Sequence, residues 1–382
     1  MSRLVVHITG ARPNFPKAAP VIDALTRQAT AAGHDVRQVL VHTGQHYDER
    51  LSEVFFRQLG LPTPDINLGV GSGSHAEQTA AVMVGLEKLF LEDRPDLVVV
   101  YGDVNSTVAA ALVAAKLQIP LAHVEAGLRS FDASMPEEVN RLVTDRLADV
   151  LLCTSADAVA HLGNEGVAPE RIHLVGNPMI DTLLAHLGSF DVELARKQHD
   201  LDGRYAVATL HRPANVDSPH DVQALVATLH SVADQVEVVL PLHPRGREAL
   251  VNAGLLDHDR IRLVEPLGYV EFLGLVRGAD VVVTDSGGVQ EETTVLGVPC
   301  LTLRPNTERP VTITHGTNRL VTRDELAARV ADVLAERPAR DLGHPDRADQ
   351  PNLDGPNLWP VPPLWDGQAG PRIAKVLLEV LR

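Results

Sequence analysis

From residue 3 to about residue 336 the chain alternates short, nearly unbroken apolar runs with longer segments of helical apolar spacing. A strand covered by helices on both faces has no polar side to show, so this rhythm marks successive βα units around parallel sheets. Strands are expected in the first half at Leu4–Thr9, Val36–Thr43, Leu97–Tyr101, Leu121–Val124, Val150–Thr154 and Ile172–Val175. In the second half they are expected at Ala206–Leu210, Val236–Leu240, Ile261–Val264, Val281–Thr284, Cys300–Leu303 and Arg319–Val321. Helical spacing is clearest at Ala76–Glu92, Ser106–Lys116, Glu137–Leu147, Val222–Val232, Val289–Leu296 and Arg323–Ala335. Two similar halves, each opening on a strand, predict an α/β protein of two Rossmann-like lobes, hinged near Gly176–Pro178, with ligand bound in a cleft between them. Residues 338–371 break the pattern with prolines and glycines and read as a surface loop containing Trp359 and Trp365. Ile373–Leu381 resumes helical spacing, and pattern alone allows it to dock on either lobe.

A length of 382 residues exceeds one ordinary core and favours two domains. With 34 basic and 50 acidic residues the formal charge is −16, which argues against non-specific binding to nucleic acid or anionic lipid. An anionic substrate then needs a local basic cluster. Cys153 and Cys300 lie in separate apolar runs, so a disulfide framework is not expected and a reducing cytoplasm fits. No apolar run reaches membrane-spanning length, and the chain enters a strand at once without a signal-peptide pattern.

The chemistry concentrates in His-Val-Glu-Ala-Gly-Leu-Arg at 123–129 and Met-Pro-Glu-Glu-Val-Asn-Arg at 135–141, after a separate Gly102-Asp103. Asp103, Glu125 and Glu137 fall near the carboxyl ends of consecutive strands, where open α/β sheets place ligands. Glu137 and Glu138 also suit a helix's first turn for purely dipolar reasons, and both readings stand. Gly10-Ala11-Arg12-Pro13-Asn14 follows the first strand with Lys17 a turn later, two cations poorly placed for a helix start but well placed for phosphate. Asp285-Ser286-Gly287-Gly288 opens a helix after Val281–Thr284. It is either an anion-binding turn or simply a tight βα turn, with Gln290, Glu291 and Glu292 in the helix that follows. His211 and His243 each follow a strand beside an arginine and form a candidate basic wall. The 17 histidines show no metal-binding spacing, so no catalytic metal is expected. A dinucleotide fingerprint and a serine-nucleophile elbow are both missing from their usual contexts.

In order, Gly10–Pro13 with Lys17, Gly102-Asp103, His123–Arg129, Pro136–Glu138, His211-Arg212, Asp285–Glu292, Thr307–Pro310 and Asp366–Ala369 resemble the non-hydrolysing UDP-N-acetylglucosamine 2-epimerases. The resemblance implies a glycosyltransferase-B-type fold with a first lobe at 1–177, a UDP-binding second lobe at 178–367, and a final helix at 368–382 crossing back onto the first. It implies a cytoplasmic homodimer that needs no cofactor. It further implies interconversion of UDP-N-acetylglucosamine and UDP-N-acetylmannosamine, with UDP eliminated to 2-acetamidoglucal and re-added with inversion at C2. By resemblance Asp103, Glu125 and Glu137 are the acid/base candidates, with Lys17 and His211 also in the catalytic set. Arg12, His243, Phe272, Ser286, Gly287, Gly288, Glu292 and Arg309 would hold the UDP-sugar. The chain departs from the best-known bacterial members at Ala11, Asn14 and Pro213–Asp217, beside the sugar and phosphate sites. It has Gln45-His46 but no Arg-Gln pair within Val70–His75, which implies weak or absent activation by substrate. The alternatives are a hydrolysing 2-epimerase that releases N-acetylmannosamine, a glycosyltransferase of the same fold, and a silent nucleotide-sugar sensor.

Overall fold

The computed structural model describes residues 2–44, 63–210, 212, 218–242, 244–336 and 360–382. The chain forms two compact units, residues 1–185 with 363–382, and residues 186–362. No helix among the described residues is long and apolar enough to cross a membrane.

The first unit holds seven parallel strands: β1 (Arg3–Thr9), β2 (Val36–His42), β3 (Ile66–Asn67), β4 (Leu97–Tyr101), β5 (Leu121–Ala126), β6 (Val150–Cys153) and β7 (Ile172–Leu174). Their spatial order is β3-β2-β1-β4-β5-β6-β7. The direction of winding reverses between β1 and β4, which leaves an open crevice at the carboxyl ends of those two strands. Alternation along β1 sends Leu4, Val6 and Ile8 to the face covered by Val82, Leu86 and Phe90 of the helix His75–Glu92. Val5 goes to the opposite face, against Val21 and Leu25 of the helix Phe15–Ala32 and Ile373 and Leu377 of the last helix.

The second unit repeats the plan with β8 (Tyr205–Thr209), β9 (Glu237–Pro241), β10 (Ile261–Val264), β11 (Val281–Thr284), β12 (Cys300–Thr302) and β13 (Asn318–Leu320), again all parallel. The order β10-β9-β8-β11-β12-β13 puts its switch point between β8 and β11.

All twelve expected strands form, with ends shifted by a residue or two. The two-residue edge strand β3 carries too little pattern to read. Helices at Phe15–Ala32, Ala156–Asn164, Pro178–Ala185, Val192–Gln198, Pro244–Asn252 and Tyr269–Gly278 also lie beyond the segments named from the sequence. The first contains Pro20, normally a helix breaker.

The expected boundary at 177/178 moves to 185/186. Helix Pro178–Ala185 belongs to the first unit because it packs on helix Phe15–Ala32, with the Thr182 hydroxyl donating to the Pro16 carbonyl at 2.6 Å. The tail rejoins that unit at 363 rather than 368. Trp359 lies outside the described residues, but Trp365, expected on a surface loop, is buried. Its indole N–H donates to the Thr154 carbonyl at 2.9 Å, which removes the cost of burying that donor.

The last helix, Ala369–Val380, docks on helix Phe15–Ala32, where a Cβ at Gly370 would meet the Pro20 carbonyl oxygen at 2.5 Å. Asp181 seals the helix start, accepting from the amides of Ala369 and Gly370 at 3.1 and 2.7 Å. Burial pushes its carboxyl up to about 6 against those two amides, with Asp366 adding to the rise. A folded pKa above the unfolded value of about 3.9 means the folded chain holds the proton more tightly. The group's contribution is therefore full below about pH 4 and is lost as pH rises through about 6. An Asp181→Asn variant lacks this titration. Its melting temperature minus that of the parent should climb with pH and level off above about 6, as followed by scanning calorimetry from acid to neutral buffer.

Candidate active site

The loop after β1 is built by Asn14. Its side-chain oxygen accepts from the Gly10 and Ala11 amides at 3.0 Å each, and its amide donates to the Tyr101 carbonyl at 2.9 Å. One side chain thus ties the ends of β1 and β4 across the switch point. Arg12 lies in the short 3-10 turn Arg12–Asn14. Lys17, in the first turn of the following helix, is buried and ion-paired with Glu125, itself 5% exposed. Lys17, placed by its position for a phosphate, is thus spent on a carboxylate of its own unit.

Glu125 sits where the pairing of β5 with β6 slips between Val124 and Ala126, and its φ of 76° lies in the left-handed region that non-glycine residues avoid. That turn re-aims the side chain toward the loop after β4. A Cβ on Gly102, which has φ +66°, would lie 3.2 Å from Glu125 Oε2 and 3.4 Å from Lys17 Nζ. Glycine is required there by backbone conformation and by the close approach of the ion pair.

Asp103 follows directly, about a quarter exposed, and pairs with the buried guanidinium of Arg141. Asn140 donates to the Asp103 carbonyl at 2.9 Å. Both partners come from the helix Pro136–Leu147, whose first turn holds the Glu137-Glu138 pair. The two glutamates have different fates. Glu138 is buried and accepts from the Ser130 and Phe131 amides at 3.0 Å each and from Arg141 at 2.6 Å. Burial alone would raise its carboxyl, but the Ser130 amide and Arg141 hold it below the ordinary range. Glu137 is half-buried and makes no hydrogen bond or ion pair among the described residues. It lies one turn before Arg141 on the same helix face.

The second unit uses the same device. Asp285, fully buried after β11, accepts from the Arg212 amide at 2.9 Å, while Arg212 Nε donates to the Asp285 carbonyl at 2.9 Å. The ends of β8 and β11 are thereby tied. Ser286 occupies the N-cap of helix Gly287–Leu296 without a side-chain capping bond. A Cβ on Gly287 would overlap the Arg309 guanidinium, so Gly287 and Gly288 open a helix packed tightly on that arginine. Arg309 faces Glu291 at 2.8 Å and pairs with Glu308, which also binds Arg304 at 2.6 Å. These four charged groups are all buried, two of each sign. Glu292 stands beside the Tyr269 phenol, which burial and that carboxylate push well up. Phe272 is half-buried on helix Tyr269–Gly278. His211, His243 and Gln45-His46 lie outside the described residues.

The structure thus joins Lys17, Asp103 and Glu125 at one switch point and gathers Ser286, Gly287 and Arg309 at the other. Asn14, Glu138 and Arg141 lie within the motifs, but their partners are visible only in the structure. Their signal was only the density of polar residues in predicted turns, which does not specify a partner. Among the described residues no group of histidine, cysteine, aspartate and glutamate side chains is arranged to hold a metal ion.

Two Rossmann-like sheets with acids at one switch point and a glycine turn at the other define an α/β protein of the glycosyltransferase-B type of fold. Residues 28–378 match the family model described as UDP-N-acetylglucosamine 2-epimerase, and the chain belongs to that family. It is 40% identical over 332 residues to the UDP-N-acetylglucosamine 2-epimerase of Methanococcus maripaludis, covering 83% of this chain and 87% of that one. It is also 40% identical over 381 residues to the UDP-2,3-diacetamido-2,3-dideoxy-D-glucuronate 2-epimerase of Pseudomonas aeruginosa, covering 98% and 99%. The crystal structure of Methanocaldococcus jannaschii UDP-GlcNAc 2-epimerase in complex with UDP-GlcNAc and UDP superposes with a TM-score of 0.84. That match has 36% identity and covers 99% of this chain and 100% of that one.

The geometry at Gly102 makes a direct prediction. Gly102→Ala forces a left-handed backbone on a residue with a side chain and pushes its methyl at the Glu125–Lys17 pair. Urea unfolding should show a loss of about 1–3 kcal/mol.

Proposed function

We propose that the protein inverts C2 of a UDP-2-acetamido sugar, interconverting UDP-N-acetylglucosamine and UDP-N-acetylmannosamine without hydrolysis. The observation that carries this reading is the convergence of Asp103 and Glu125 on adjoining loops, each opposite a cation, with Glu137 unpaired nearby on the helix that supplies Arg141. The C2 proton is weakly acidic, so its removal must be coupled to departure of UDP. A carboxylate takes that proton, the C2–H electron pair forms the C1=C2 bond of 2-acetamidoglucal, and the C1–O pair leaves with UDP. The diphosphate oxygen then re-adds at C1 while an acid delivers a proton to the opposite face of C2. Two groups are needed because a single base returns the proton where it found it. The sequence has no net oxidation, so it needs no redox cofactor.

In this reading Asp103, Glu125 and Glu137 share the acid and base roles, and Lys17 positions Glu125 through their ion pair. Arg12, His211, Ser286 and the amides after it neutralise the leaving diphosphate, where charge builds most. Glu292 takes ribose hydroxyls, Phe272 lies against uracil, His243 adds a cation, and Arg309 supports the Gly287-Gly288 turn from beneath. The active species is a cytoplasmic homodimer.

A second substrate is favoured by one specific likeness. The Pseudomonas aeruginosa relative matches through nearly the whole chain at 40% identity, so a UDP-2,3-diacetamido uronate is the other sugar to offer.

Proton NMR in D₂O with UDP-N-acetylglucosamine should show deuterium entering C2 and a UDP-manno product. Free N-acetylmannosamine would instead mark a hydrolase, and unlabelled, intact forms of both sugars would overturn the proposal. Asp103→Asn and Glu137→Gln should each lose turnover by at least about 10²-fold, the low end for acid–base groups. Both should retain UDP affinity in calorimetry; near-normal turnover in either removes that residue from the mechanism.

A further inference from the structure

His123, fully buried in β5, has its two ring nitrogens facing two acceptors. Nε2 lies 2.9 Å from the Gly102 carbonyl oxygen, and Nδ1 lies 2.6 Å from Asp145 Oδ1. A carbonyl oxygen can only accept, so Nε2 carries a hydrogen. The other Asp145 oxygen accepts from the Gly127 amide at 3.0 Å and from Arg129 at 2.7 Å. Burial would raise the Asp145 carboxyl, but the Arg129 guanidinium and the Gly127 amide that donate to it favour its ionised form. An ionised Oδ1 likewise only accepts, so Nδ1 carries a hydrogen as well.

We infer that His123 carries a hydrogen on both ring nitrogens and positions the Gly102–Asp103 turn, as the inner end of a chain of alternating charge running Glu165, Arg129, Asp145, His123. Arg129 grips Glu165 with two parallel bonds of 2.7 Å, and Glu165 is the one partly exposed member, at 36%. The four charges sum to zero, which is how they tolerate burial. From the neighbouring elements, Cys153 on β6 lies beside Asp145 and Arg129, with Asp157 beside Cys153 in turn, and His161 on helix Ala156–Asn164 reaches the Gly127 carbonyl; burial pushes the Cys153 thiol up.

His123 touches no reacting atom and acts through Gly102. The left-handed Gly102 has no side chain to anchor it; its amide donates to the Val124 carbonyl at 3.0 Å and its carbonyl faces His123. Asp103 is the next residue, and Glu125 is two residues along β5. A cation fixed behind both backbones favours negative charge on the acids in front of it. The assignment of role rests on the reaction proposed above, whereas the assignment of charge does not.

Neutron diffraction from crystals of the intact protein grown in D₂O at about pD 8 reads the charge directly. Deuterons on both Nδ1 and Nε2 are expected; a bare Nδ1, or a deuteron on Asp145 Oδ1, overturns it. Kinetics read the role. His123→Gln keeps a donor for the Gly102 carbonyl but loses the charge. It should lower kcat about 10- to 100-fold, the usual loss when an orienting partner is removed. KM should hold steady and the acidic limb of the kcat/KM profile should move to higher pH. Glu165→Gln, at the partly exposed end, leaves Arg129 undercompensated and should move that limb to lower pH. Profiles unmoved in Glu165→Gln overturn the positioning role whether or not the His123 variant folds. A protein that epimerises neither sugar would sink the proposed reaction while leaving the neutron result to stand alone.

Discussion

The buried ion pair between Lys17 and Glu125 sets the terms for the first unit. Placing two charges out of water costs several kcal/mol for each ion, and their attraction repays that only when the geometry is held. Here it is held from both sides. Lys17 rides on the first turn of a helix that packs along the sheet, and Glu125 is re-aimed by the bulge in β5. Gly102 beside them leaves free the space a Cβ would take 3.2 Å from Glu125 Oε2 and 3.4 Å from Lys17 Nζ. A one-residue slip of β5 against β4 would send Glu125 to the other face and leave two uncompensated charges behind. The register of the sheet and the pair therefore enforce one another.

Around that pair the fold gives adjacent residues of the same type opposite tasks. Glu138 is spent on two loop amides and a guanidinium, whereas Glu137 beside it has no hydrogen-bond or ion-pair partner among the described residues. In the second unit Glu291 faces Arg309 while Glu292 stands against a phenol. In each unit, neighbouring glutamates thus meet different surroundings. Both units also fasten the loop after their first strand to the loop after their fourth, through Asn14 in one and through Arg212 and Asp285 in the other. The switch point of a doubly wound sheet is a crevice only if its rims hold still, and these bonds hold them.

Much of this was legible beforehand, for physical reasons that can be named. Parallel strands buried on both faces must be written in unbroken apolar residues, so Val98–Val100 or Val281–Val283 announce themselves without context. Helix Phe15–Ala32 was obscured because Pro20 inside it opposes local propensity and its stability comes from packing against Ile373 and Leu377. Trp365 looked like loop decoration because its partner, the Thr154 carbonyl, is distant in sequence. The motif residues were visible as polar clusters at predicted strand ends, but nothing local distinguishes the glutamate that supports from the glutamate that remains available.

Sequence alone determined the α/β class, the rhythm of the two sheets, the family, and the short list of acids and cations, because each is encoded by residues close together in the chain. Tertiary structure alone decided that Lys17 meets Glu125, that Arg141 is shared by Asp103 and Glu138, that Asp181 seals the last helix and that His123 lies between two acceptors. Those pairings join side chains on separate strands and helices. The free energy of a buried charge depends on what stands within a few ångströms of it, which no spacing along the chain records.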